Sequence, residues 1–166
     1  MKKTLYIFLI ALAALSVSCK KDKPVKYPGK LTVDGVARSI HYATIDEDDL
    51  PNGYDIYLYF SDTDEDDWMH IMLNGSKHLG KEIDLTKRDE GSFGWYWVVG
   101  YYQGVDIYAT GNKQSTASDV FSKGTLYSSR LEDEDGSPVM ELELKDGVYE
   151  GHDISMHFKG KMQLVH

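Results

Sequence analysis

The sequence predicts an all-β fold for residues 29–166: one antiparallel domain of about ten strands, a β-sandwich or a partly closed β-barrel. Three observations predict it. Apolar and polar residues alternate from Gly29 to the end of the chain. No segment after Gly29 carries a helical period that would supply a crossover helix. The alternating runs are separated by Asp-Gly and Asn-Gly pairs at 34–35, 74–75, 135–136 and 146–147, the residue types that tight hairpin turns need. Strands without crossovers must run antiparallel and bury one face against a second layer or a closed wall.

Before this domain come two segments of different character. Met1-Lys2-Lys3-Thr4, the apolar run Leu5 to Leu15 and the small residues Ser16-Val17-Ser18 have the composition of a helical secretory signal, too short for a spanning helix. It ends at Cys19, the only cysteine of the chain. Residues 1–19 resemble the lipobox signal of bacterial lipoproteins. The resemblance implies cleavage before Cys19, acylation of its thiol and new amino group, and a lipid anchor in a Gram-negative envelope, on the outer membrane. Acyl chains add about 0.8 kcal/mol of membrane affinity per buried methylene, so two or three of them anchor stably. A plain secreted protein cut near this cysteine is the alternative. Residues 19–28, with lysines, two prolines and no apolar period, read as a flexible tether.

Removing the leader leaves 148 of the 166 residues, the size of one domain with a single core. Because the leader carries two lysines and no acid, the net charge moves from −9 to −11, with 16 basic residues against 27 acidic. An acidic surface repels phosphate backbones, which argues against a nucleic-acid partner. With Cys19 acylated, no intrachain disulfide can form.

Along the domain, Leu31 and Val33 pair through the Asp34-Gly35 turn with Arg38 and Val36, giving an inward set of Leu31, Val33, Val36 and Ile40 with Arg38 as the odd member. Ile56, Leu58 and Phe60 alternate with Tyr57 and Tyr59. Met69, Ile71 and Leu73 alternate with His70 and Met72, after the acidic loop 61–67. A short extended piece at 81–86 leads to an aromatic strand, Phe93 to Tyr102, with Trp95, Trp97, Val99 and Tyr101 on one face. Gln103-Gly104 turns it into Val105 to Ala109. If Asp135-Gly136 is a two-residue turn, Leu131 opposes Met140 and Tyr127, Ser129 and Leu131 face inward. A turn at Asp146-Gly147 leaves one residue too many before Ile154, Met156 and Phe158, and Gly151 is the expected bulge.

The phrases LTVDGV, LGKEIDLT at 79–86, GTLYSSRL at 124–131 and GHDISMHFKGKMQL at 151–164 together resemble small β-rich envelope lipoproteins of unknown function. The resemblance implies a fold and an address, and no residue roles.

Three constellations bear on chemistry. Asp62, Asp64 and Asp66 have the alternate spacing that opens a calcium loop, but Asp67 stands where that loop needs Gly and Leu73 where it needs a bidentate carboxylate. Solvated acids guarding a loop are the competing reading. There is no GxSxG, HExxH or CxxC, so the sequence predicts a non-catalytic protein without a structural zinc site. The aromatic set, led by Trp95, Trp97 and Tyr101 with Arg38 as a pocket cation, suggests a surface for a small molecule, a glycan or a partner protein. Core packing competes for each ring. A structural or assembly role in the envelope is the second function class, and a calcium-dependent carbohydrate-binding or hydrolytic protein the third.

Overall fold

The computed structural model describes residues 27–47, 52–88, 90–116 and 119–165. The leader, Cys19 and most of the tether lie outside the described residues. The strands in chain order are β1 (Gly29–Val33), β2 (Val36–Ile40), β3 (Tyr42–Asp46), β4 (Gly53–Tyr59), β5 (Trp68–Asn74), β6 (Glu82–Asp84), β7 (Val98–Tyr101), β8 (Ile107–Thr110), β9 (Lys123–Glu132), β10 (Pro138–Tyr149), β11 (His152–Lys161) and β12 (Gln163–Leu164). One helical turn, α1 (Gly75–His78), follows β5.

The strands form two six-stranded sheets. Sheet 1 has the order β2-β1-β11-β10-β9-β6, and sheet 2 the order β12-β3-β4-β5-β7-β8. All neighbours are antiparallel except β12 and β3. Neither sheet closes on itself, so the fold is a β-sandwich. Alternation explains the core. Leu31, Leu126, Leu142, Met156 and Phe158 point inward from sheet 1 and meet Ile45, Ile56, Leu58, Ile71 and Val99 from sheet 2, each at most 2% exposed.

Several local expectations hold. The first hairpin turns at Asp34-Gly35, both with positive φ (48° and 79°), and pairs Val33 with Val36 and Leu31 with Arg38. Others are corrected. Val36 is 69% exposed, because β2 is an edge strand and the residue sits at its turn. The loop between β9 and β10 spans five residues, closed by the Asp133 N–H to Ser137 O and the Gly136 N–H to Asp133 O. It pairs Val139 with Leu131, one step from the expected register. A one-residue slip exchanges faces, so Leu126 and Ser128 point inward while Tyr127, Ser129 and Leu131 lie outside.

The extra residue near the C-terminus is also absorbed elsewhere. β10 runs through Asp146-Gly147 with a bulge between Leu144 and Gly147, and the chain reverses at Glu150-Gly151, both at positive φ. Gly147 fits the bulge because a Cβ there would come within 2.5 Å of Leu144 Cδ2 and 2.8 Å of Ile154 O. The expected strand from Phe93 to Tyr102 shortens to β7. Residues 91–97 form turns instead, and Trp97 lies so close over Gly111 that a Cβ there would be 2.5 Å from the indole Nε1.

Candidate functional site: the outer face of sheet 2

Because side chains alternate, the residues between the core positions of sheet 2 share its outer face. Register sets them in rows across the strands. Tyr42, Tyr59 and Trp68 form one row; Thr44, Tyr57, His70, Gly100 and Tyr108 the next; Asp46, Asp55, Met72, Val98 and Thr110 the third. The tyrosines that sequence alternation assigned merely as the non-core partners of Ile56 and Leu58 therefore become part of a continuous aromatic surface.

The rings order one another. Tyr42 and Tyr59 stack at 4.4 Å between centroids, and Tyr57 stacks on His70 at 4.9 Å. Trp68 stands nearly perpendicular to Tyr57, His70 and Tyr102, with centroids 5.0, 6.3 and 6.2 Å away. Such edge-to-face pairs hold an indole in one orientation. Gly100 leaves the middle of the face without a side chain, and Tyr102 folds back over it; a Cβ at Gly100 would stand 3.6 Å from the Tyr102 ring. Farther along, Tyr96 covers Met72 and Val98 and meets Phe93 edge-on. Asn74 places this end. Its side-chain oxygen accepts the Lys77 N–H at 3.0 Å, capping α1, and its amide donates to Gly94 O at 2.9 Å. Tyr102 and Tyr108 remain 49% and 45% exposed, and Phe93 67%.

The electrostatics of this face are one-sided. Every lysine and arginine that lies in a strand lies in sheet 1, and none lies in sheet 2. Burial, and then Asp55, pushes the Tyr57 hydroxyl above its ordinary pKa. Burial, then Tyr108 and Asp106, does so for Tyr102; burial, then Tyr59, Glu65 and Asp62, does so for Tyr42. These phenols are neutral hydrogen-bond donors at neutral pH, set among carboxylates. Asp55 is hydrogen-bonded to His70. The outer face of sheet 1 is different in kind. Several of its charges are paired, Lys159 with Glu141 and Lys145 with Glu143 at 2.9 Å each. A shallow depression of about 270 Å³ beside the β10 bulge is lined by the same charged and small polar groups, including Lys30, Glu143, Lys145 and His157.

The residues expected to line a ligand surface separate. Trp97 and Tyr101, 1% and 2% exposed, belong to the core; the Trp97 carbonyl accepts the Thr110 hydroxyl and Tyr101 meets Phe60 edge-on. Trp95 sits in the turn closed by its N–H to Ser92 O, 38% exposed. Arg38 and Tyr101 are brought together, but as a clamp between the sheets. The guanidinium of Arg38 donates to both carboxylate oxygens of Asp67 and, at 3.0 Å, to the Tyr101 hydroxyl, and lies 4.6 Å from the centre of the Phe60 ring. Its pKa is driven upward, by Asp67 above all, against the burial that opposes it. Arg130 of sheet 1 makes a second clamp, donating to the Tyr54 hydroxyl at 3.2 Å and pairing with Glu47 at 3.1 Å.

The three loop aspartates do not gather about one centre. Asp62 turns to His41 Nδ1 at 3.0 Å, and Asp64 accepts the Asp66 N–H at 3.1 Å. Among the described residues, no three His, Cys, Asp or Glu side chains are grouped to hold a metal ion. Among them, no helix is long and apolar enough to cross a membrane. Compared with protein-family models, curated proteins and solved structures, the chain finds no match in any of the three.

Proposed function

We propose that the protein is a non-catalytic lipoprotein of the cell envelope, held to the outer membrane through Cys19, which binds a ligand or partner on the aromatic outer face of sheet 2. The observation that carries the binding reading is the mutual ordering of Tyr57, His70, Trp68 and Tyr102 into a pre-set surface whose margin, Tyr102 and Tyr108, stays open to solvent. Rings already fixed by their neighbours lose little rotamer freedom on contact, so stacking is not offset by ordering. Their hydroxyls, kept protonated, supply directional donors beside apolar area. The anchor reading rests on the leader and its terminal cysteine, and the described domain takes up its first strand at Gly29, ten residues beyond that cysteine.

Two measurements test the two halves. Fatty-acid labelling of cells should mark the protein and be lost in Cys19→Ser; label retained in that variant sinks the anchor. Hydroxyl-radical footprinting should show Trp68, Tyr102 and Tyr108 less modified in intact envelopes than in the purified protein, with Tyr127 on sheet 1 equally modified in both. Equal modification of all four sinks the binding face.

A further inference from the structure

Resting on the binding face just assigned, we infer that its occupant is a neutral glycan, one sugar ring of which stacks on Tyr102 in the corner that Trp68 walls off. Two rings make that corner. Tyr102 lies across the bare backbone of Gly100, so the ring is supported from beneath while 49% of the residue stays exposed. Trp68 stands at 87° to it, with the centroids 6.2 Å apart, and is itself held edge-on by Tyr57 and His70. Floor and wall are thus set before any ligand arrives, and a flat body loses little by stacking there. The floor continues to Tyr108, which register places beside Gly100 on β8. From β5 to β8 are two inter-strand steps, roughly 10 Å, which is wider than one sugar ring and suits a short oligosaccharide.

Charge narrows the class of ligand. No strand of sheet 2 carries a lysine or arginine, so an anion would find no counter-charge in its strands. The carboxylates among its rows are already engaged: Asp55 is bonded to His70, and Asp46 has an interaction of its own. Nothing there calls for a cation either, and a neutral ligand meets the face without an unpaired charge on either side.

Neutral does not mean apolar. The exposed side chains of Gln103 and Asp106 lie in the turn between β7 and β8, beside the floor made by Tyr102 and Tyr108. Gln103 Nε2 ties this turn to the 61–67 loop through Asp66 O at 3.4 Å. Asp106 and Tyr108 lie near enough to the Tyr102 hydroxyl to help burial raise its pKa. An all-apolar occupant would take these phenols, the amide and the carboxylate out of water unpaired, at a cost for each group. A sugar ring answers both demands. Its C–H face packs on an aromatic ring, while its hydroxyls project sideways, donating to a carboxylate and accepting from an amide or a phenol.

The test is a nuclear magnetic resonance titration of the purified protein at low and physiological salt. The neutral probes are cellohexaose, xylohexaose, chitohexaose, mannohexaose and maltohexaose; dextran sulfate and oligolysine are the charged ones. At least one neutral probe should shift the Trp68 indole N–H, with the same affinity at both salts. Tyr102→Ala should weaken that binding about tenfold, whereas Asp106→Asn, which removes the charge and keeps a hydrogen-bonding group, should change it about twofold or less. Both residues are exposed, so folding of the variants is checked by unchanged core resonances. Binding confined to dextran sulfate or oligolysine, or neutral binding that Tyr102→Ala leaves intact, would overturn the inference. Silence of all five neutral probes would overturn it too, leaving the binding face standing if the rings are protected in the envelope footprint and removing both if they are not.

Discussion

Replacing Arg38 by Met would delete the hydrogen bonds to Asp67 and leave a carboxylate, only 8% exposed, without its guanidinium partner. Removing one partner of such a pair is worse than never having had it, because the remaining charge keeps its desolvation penalty. Arg38→Met should lower stability by about 2 kcal/mol, and adding Asp67→Leu should recover part of the loss. Urea midpoints of the two variants measure this; a double variant as unstable as the sum of its parts would contradict the clamp. Asp84, on the surface, behaves by the opposite logic. The Lys87 ammonium first, and then the Thr86 hydroxyl and N–H, hold its carboxyl down to about 2. A depressed carboxylate stabilises the fold above its unfolded pKa, and that contribution fades as pH falls from the ordinary 3.8 through about 2. Carbon-detected titration should place its midpoint near 2, and Lys87→Met should move the midpoint upward.

The β10 bulge fixes where the longest hairpin reverses, and it depends on one position. Gly147→Ala would press a methyl onto Leu144 and the Ile154 carbonyl, and Gly124 approaches from the other side with an ideal Cβ 2.7 Å from Gly147 Cα. Backbone cannot yield as a side-chain tip can, so the variant should lose about 2 kcal/mol in chemical denaturation. Loss within a few tenths of a kcal/mol would show the bulge to be soft. This same element marks where sequence reading reaches its limit. The alternation of Leu142, Leu144, Ile154, Met156 and Phe158 was legible, and so was the need to absorb one residue. Which glycine pair turns and which bulges depends on packing against Phe121, a contact distant along the chain. The β9–β10 loop differs from its sequence expectation for a related reason: Asp135-Gly136 looks like a two-residue turn, yet the Asp133–Ser137 hydrogen bond makes a five-residue one. The sequence around Trp97 and Tyr101 is apolar on both faces, which suits a ligand contact as well as a core position, and only the strand order shows which face the second sheet covers. Conversely, Tyr57 and Tyr59 carried a signal of their own, since outward positions of a strand facing water are ordinarily polar and seldom aromatic.

At the scale of the molecule, two sheets of equal strand number turn different surfaces outward. Sheet 1 shows lysine–glutamate pairs, and sheet 2 shows interlocked rings and no lysine or arginine. A wholly solvated sandwich would gain nothing from the difference, because a half-exposed aromatic row on an edge-bearing sheet invites association. That surface is where the protein should touch its neighbours. Photo-cross-linking in intact cells tests this most directly, with p-benzoylphenylalanine placed at Tyr108 on sheet 2 or at Ser155 on sheet 1. A discrete adduct from position 108 and none from position 155 is the expected result. Adducts from 155 alone, or none from 108 under conditions where the protein is abundant, would contradict the assignment of sheet 2 as the contact face.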